Sequence, residues 1–143
     1  QHGFEQSIGE LQAPVIQGQA QLSRCAPTAL TPGRSQSFQF ATQSSEIEAA
    51  IVCYGTGPTD MNSYSNIMAP VYGFYGENDN RVNATIPASA SAMKASGNPF
   101  EQIIYDGAGH GFFRAGENQN ATEANRIARE QGIQRLKEIL KGL

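Results

Sequence analysis

Two loops hold residue types that could do chemistry together: Gly76-Glu77-Asn78-Asp79-Asn80 and Asp106-Gly107-Ala108-Gly109-His110-Gly111-Phe112. A carboxylate bonded to one imidazole nitrogen fixes the ring's tautomer and steadies the imidazolium. The other nitrogen can then take a proton from a nucleophile and return it to a leaving group. Asp79 is the candidate acid and His110 the candidate base, with Glu77 a competing acid two residues earlier. Glycines at 107, 109 and 111 would let a sharp loop present His110 without Cβ clashes. Each residue alone has an ordinary reading. An aspartate in a Gly/Asn-rich loop is usually a turn former bonded to nearby backbone, and a lone histidine in a glycine loop is usually a surface residue. The pairing argues for function. A metal site from Asp79, Asp106 and His110 lacks typical ligand spacing, and His2 reads as incidental.

To meet, the two loops must leave neighbouring strands at the same end. Three short apolar runs qualify as strands: Ala49 to Tyr54, Pro70 to Tyr75 and Phe100 to Tyr105, each closed within a residue or two by glycine. Runs without polar alternation suit parallel strands covered on both faces. Helices are expected between and after them. One opens near Ser37 as N-cap, and one runs from Pro87 to Ser96 with Gly97 as its stop. A third runs from Thr122 to Leu140, with an apolar stripe of Ile127, Ile133, Leu136, Ile139 and Leu140. Strand and helix in alternation predict a parallel α/β sheet. Reactive groups in such sheets gather at the carboxyl ends of the strands. Adjacent strands lie about 4.8 Å apart, close enough for Asp79 and His110 to touch.

Composition narrows the function classes. The chain has 143 residues, enough for one modest core, and 39% are apolar, above a disordered composition. A net charge of −3, with ten scattered Lys and Arg, excludes a basic nucleic-acid surface. Cys25 and Cys53 cannot frame a disulfide scaffold. No stretch approaches the roughly 20 apolar residues of a membrane span, and no signal-peptide pattern opens the chain. A cytoplasmic protein is the default expectation and a mature secreted form the alternative. Asn83-Ala84-Thr85 and Asn120-Ala121-Thr122 fit the glycosylation sequon, a short pattern often met by chance. Residues 1–35 read as an irregular segment rich in Gln with several Pro, and residues 36–143 as the folded unit.

Ala49-Ala50-Ile51-Val52-Cys53-Tyr54-Gly55, then Ala69 through Asp79, then Tyr105 through Phe112, resemble three consecutive blocks of dienelactone hydrolases, in order and in separation. The resemblance implies a three-layer α/β-hydrolase-like parallel sheet, here incomplete on its N-terminal side. It also implies cleavage of lactones or carboxylic esters without metal or cofactor, as in opening an enol lactone to maleylacetate. By position, Asp79 matches the acid of the catalytic triad and His110 its base. Arg114 matches an arginine that in some members holds a substrate carboxylate, and Tyr54 is a candidate pocket wall or core residue.

The nucleophile does not follow the pattern. The family carries a Gly-x-Cys-x-Gly-Gly turn just before the helix containing Ser37, whereas this chain reads Leu30-Thr31-Pro32-Gly33-Arg34-Ser35-Gln36-Ser37. Spacing from Gly55 points to Thr31 or Pro32, neither convincing. Ser35, in a degenerate echo of Gly-x-Ser-x-Gly, is a weak candidate, and Cys25 lies too early. The residues before Ser37 are also too few for the upstream strands and oxyanion loop of the full fold, so an exposed sheet edge is expected. A piece of a larger enzyme, a shifted upstream reading frame and a truncated relative each account for this. The leading expectation is a hydrolase using a nucleophile-His-Asp mechanism on a small ester or lactone. The alternative is an inactive module that binds small acids or forms oligomers through the exposed edge.

Overall fold

A computed structural model describes residues 36–143, so the Gln-rich segment 1–35, Cys25 and Ser35 lie outside the described residues. The elements run α1 (Gln36–Ala41), β1 (Ala50–Cys53), a 3-10 segment (Met61–Asn66), β2 (Val71–Gly76), α2 (Asn80–Asn83) and α3 (Ile86–Ser96). They continue with β3 (Phe100–Tyr105), α4 (Phe112–Ala115) and α5 (Glu123–Lys141). Three parallel strands form one sheet in the order β1-β2-β3, with Cys53 level with Phe74 and Gly76 level with Tyr105. Among the described residues, β1 and β3 are therefore the outer strands.

Alternating side chains divide the sheet into two packed faces. Ile51, Cys53, Phe74 and Tyr105 pack on one side with Phe112, Ala128 and Ile139, which places α5 over that face. Ala50, Val52 and Val71 pack on the other side with Phe38, Tyr64, Ile67 and Met93. Phe38 anchors this second layer edge-on, 5.6 Å from the Tyr64 ring and 5.3 Å from Phe100. The result is helix, sheet, helix, as an α/β fold requires.

All four β1 residues and all but one in β2 are buried, as unbroken apolar runs predict. β3 departs from that expectation. Gln102 and Ile104 point to solvent from the face opposite α5, with Ile104 47% exposed. An outer strand needs only one covered face.

Two helix expectations also need correction. Ser37 is not the N-cap of α1, because the helix already begins at Gln36 and the Ser37 hydroxyl is buried there without a partner. On α5 the buried positions are Ala128, Gly132 and Ile139, while Ile127 is 43% exposed. The reason is the crossing of α4 over α5. A Cβ at Gly132 would lie 2.7 Å from the Phe113 ring, so the contact needs small residues where pattern reading seeks large ones. The helix limits otherwise follow the caps. Thr122 Oγ1 accepts from Asn125 N–H to start α5, and left-handed Gly97 (φ 79°) ends α3.

Candidate active site

Tyr54, the Asp79 loop and the His110 loop all emerge at the carboxyl ends of β1, β2 and β3. The parallel register makes this unavoidable once the strands pair. Asp79 follows β2 and stands at the N-cap of α2. It makes no side-chain capping bond there, so it is not the turn former its surroundings suggested. Its carboxylate is 7% exposed and accepts a hydrogen bond from His110 Nδ1–H. A carboxylate cannot donate, so the bond requires the proton on Nδ1 and leaves Nε2 as the lone-pair nitrogen of the neutral ring. His110 is 36% exposed, so this pair is half open to solvent on the histidine side.

Local backbone explains how the pair is presented. Asp79 N–H bonds to Gly76 O at 3.1 Å, and Asn83 N–H to Asp79 O at 2.9 Å. Asn83 Nδ2 donates to Gly76 O at 2.8 Å and to Glu77 O at 3.1 Å, which fixes the acid loop from beneath. This amide belongs to one of the two sequons and is turned inward to the loop. Left-handed Gly107 (φ 67°) and Gly111 (φ 78°) make the histidine loop sharp. Gly109 has no such conformation; its N–H donates to Asn125 Oδ1 at 2.9 Å. Gly76 is required for another reason. A Cβ there would lie 2.6 Å from Ala108 O and 2.7 Å from Gly109 O, so the two loops approach backbone to backbone.

Glu77, the competing acid, does not reach the histidine. Its Oε2 accepts from Gly107 N–H at 2.7 Å, on the flank of the histidine loop. Tyr54 is 5% exposed, and its ring lies 5.2 Å from the His110 ring and 5.4 Å from Phe112. It is therefore both core and a wall against the imidazole. Arg114 sits exposed on α4, directly after the histidine loop. Burial pushes the Tyr105 hydroxyl up to about 12 and raises that of Tyr75 as well, so both remain neutral phenols at neutral pH. Among the described residues, no group of three or more His, Cys, Asp or Glu could hold a metal ion. No helix among them is long and apolar enough to cross a membrane.

Sequence reasoning missed the residues that hold the loops, namely Gly76, Asn78, Asn83 and Asn125. Their signal was the Gly/Asn content of the loop itself, but partners some 30 positions away cannot be read from it.

Residues 32–143 match the family model described as the dienelactone hydrolase family. A Saccharolobus solfataricus protein assigned as a carboxymethylenebutenolidase is 31% identical over 109 residues, covering 76% of this chain and 40% of its own length. The crystal structure of a protein assigned as a dienelactone hydrolase, from Klebsiella pneumoniae subsp. pneumoniae MGH 78578, superposes with a TM-score of 0.63. Its identity of 23%, over 77% of this chain and 48% of that one, speaks for the fold alone. The chain thus spans less than half the length of either protein.

Proposed function

The chain belongs to the dienelactone hydrolase family, and on that footing we propose that it carries the acid-and-base part of a site that hydrolyses small carboxylic esters or lactones. The observation that carries this reading is the Asp79 carboxylate, withheld from capping α2 and bonded to His110 Nδ1 at the rim of the sheet. On this reading His110 Nε2 takes the proton of a nucleophilic hydroxyl or thiol as that group attacks the substrate carbonyl carbon. The imidazolium then gives the proton to the leaving oxygen as the carbon–oxygen bond breaks, leaving an acyl-enzyme. Water, deprotonated by the same nitrogen, attacks the acyl carbon; the bond from that carbon to the nucleophile breaks, the imidazolium returns the proton to the nucleophile, and the acid leaves. Asp79 stays ionised throughout and steadies the positive ring. Tyr54 forms one wall of the site, and Arg114 is the candidate for a carboxylate on the substrate. The nucleophile on this reading is missing from the chain, displaced to Ser35, a weak candidate outside the described residues, or supplied from elsewhere.

The test is turnover of activated esters and small lactones by the purified chain, with a covalent hydrolase probe followed by peptide mapping. His110→Ala and Asp79→Asn should each lower kcat/KM by about 10²–10⁴-fold. Labelling at Ser35 would identify it as the nucleophile. Wild-type rates in His110→Ala would refute the proposal. The absence of a family nucleophile turn in Leu30 to Ser37 favours a second reading, a non-catalytic module that binds small acids or pairs with another chain. That reading expects no turnover, no probe labelling and a stable oligomer on size-exclusion chromatography.

A further inference from the structure

We propose that Glu77 and Asn78 form a clamp that sets the separation of Asp79 and His110, an inference that rests on that pair being the working acid and base. Each residue places its side chain on Gly107 of the histidine loop and its backbone N–H on the same strand-to-loop segment, Glu77 at the end of β3 and Asn78 in the loop. Glu77 N–H donates to Tyr105 O at 3.0 Å, and Glu77 Oε2 accepts from Gly107 N–H at 2.7 Å. Asn78 N–H donates to Ala108 O at 2.9 Å, and Asn78 Nδ2 donates to Gly107 O at 3.0 Å. Both backbone groups of Gly107 are therefore held by side chains from the acid loop. Asp79 is the next residue on one side of the clamp, and His110 follows shortly on the other.

The left-handed turn at Gly107 (φ 67°) presents these groups to the clamp. An L-residue there would be strained, and its Cβ would lie 3.1 Å from Ala124 Cβ. Without the side-chain bonds, the hydrogen bonds left on the loop beyond Tyr105 include Asn78 N–H to Ala108 O, Ala108 N–H to Tyr105 O, Gly109 N–H to Asn125 Oδ1 and the His110–Asp79 bond itself. Ala108 and Phe112 also pack in the core, so Gly107 alone would lose both its partners. Strand pairing stops at Gly76 and Tyr105, so it cannot set the geometry past that point. Glu77 and Asn78 touch neither the imidazole nor a reacting atom. They are positioning residues, and Glu77 has a role other than the spare acid its sequence position suggested.

Nuclear magnetic resonance of the whole chain tests this without relying on turnover. The wild type should show a low-field His110 Nδ1–H signal, absent in Asp79→Ala, and a protected Gly107 amide. Glu77→Ala should lose or broaden that signal and speed Gly107 exchange about tenfold or more, as expected on removing one amide partner. Amides of Val71 to Phe74 should keep their protection. Glu77→Gln retains a carbonyl acceptor and should restore both readouts; Asn78→Ala should weaken the signal in the same sense. An unchanged signal and unchanged Gly107 exchange in Glu77→Ala would overturn the clamp, as would a wild type with no low-field signal. Asn78→Ala carries the same test if Glu77→Ala does not fold. An intact signal with no ester turnover would sink the hydrolase reading and leave the clamp standing.

Discussion

Replacing Gly76 with alanine should separate the acid and base loops, and the structure supplies the magnitude. The new Cβ would lie 2.6 Å from Ala108 O, 2.7 Å from Gly109 O and 2.9 Å from Ala108 C. All three are backbone atoms, so no rotamer change can relieve the contact. A carbon-to-oxygen contact relaxes at about 3.3 Å, so the loops must part by roughly 0.7 Å. That retreat would stretch the Asn78 N–H to Ala108 O bond from 2.9 Å beyond hydrogen-bonding range. Overpacking costs about 1–3 kcal/mol and the lost bond about 1 kcal/mol. The smaller unfolded-state entropy of alanine returns about 0.5–1 kcal/mol. The net loss is about 1–3.5 kcal/mol, a fall of about 0.5–2 M in the urea midpoint for a domain this size. Gly109→Ala is the control in the same loop. Its Cβ would meet only Asn125 Oδ1, at 4.0 Å, so its stability should stay within about 0.5 kcal/mol of wild type. Urea unfolding followed by far-ultraviolet circular dichroism measures both variants. If Gly76→Ala matches wild type, or the two variants fall together, the close backbone approach is not what joins these loops.

Two further perturbations test the packing around the site. Burial pushes the Tyr105 hydroxyl from 10.0 up to about 12, with Glu101 adding in the same direction and Arg135 opposing. The folded state thus prefers the neutral phenol, and this contribution is complete below pH 10 and disappears as pH rises towards 12. Urea midpoints should fall across that window and fall less in Tyr105→Phe; equal slopes would refute the assignment. Arg135 holds Glu101 of β3 through two bonds, 2.9 Å from Nε and 2.7 Å from a terminal nitrogen. Because both partners are about one-third exposed, Glu101→Gln should cost no more than about 1 kcal/mol. That cost should shrink in 1 M salt, where charges are screened within about 3 Å, and a salt-independent cost would count against an ion pair.

What the sequence revealed depended on how far away the deciding partner lay. The strands were legible because β1, β2 and β3 are short apolar runs, and their burial needs only neighbours along the sheet. The stop at Gly97 and the start at Thr122 were legible because capping is decided within a few residues. The inward face of α5 was legible only in part: Ile139 and Leu136 of the apolar stripe do pack on the core. Gly132, where the Phe113 ring leaves no room for a Cβ, could not be read because the position of Phe113 depends on the histidine loop. Nor could the rival acids be separated by residue type alone. Asp79 and Glu77 differ by one methylene and two positions, and the docking of Gly107 assigns Glu77 to the loop and Asp79 to the imidazole. The Met61–Asn66 segment carried no helical period and escaped notice, although its start is locally fixed by Asp60 accepting from Asn62 N–H at 3.0 Å.

The cost of the local geometry argues that the rim serves more than folding. Tyr54 holds φ 44°, a conformation that costs a non-glycine residue about 1–2 kcal/mol. Asp79 stands at an N-cap without capping, forgoing about 0.5–2 kcal/mol. Gly107 and Gly111 both adopt left-handed turns within one loop. These departures sit at the ends of three different strands, and each has the same consequence. Tyr54 brings its ring against His110, Asp79 frees its carboxylate for Nδ1, and the two glycines aim the imidazole between them. A chain shaped by stability alone would cap α2 with Asp79 and relax Tyr54. That these distortions converge on one shared proton is what supports the proposed role of the pair.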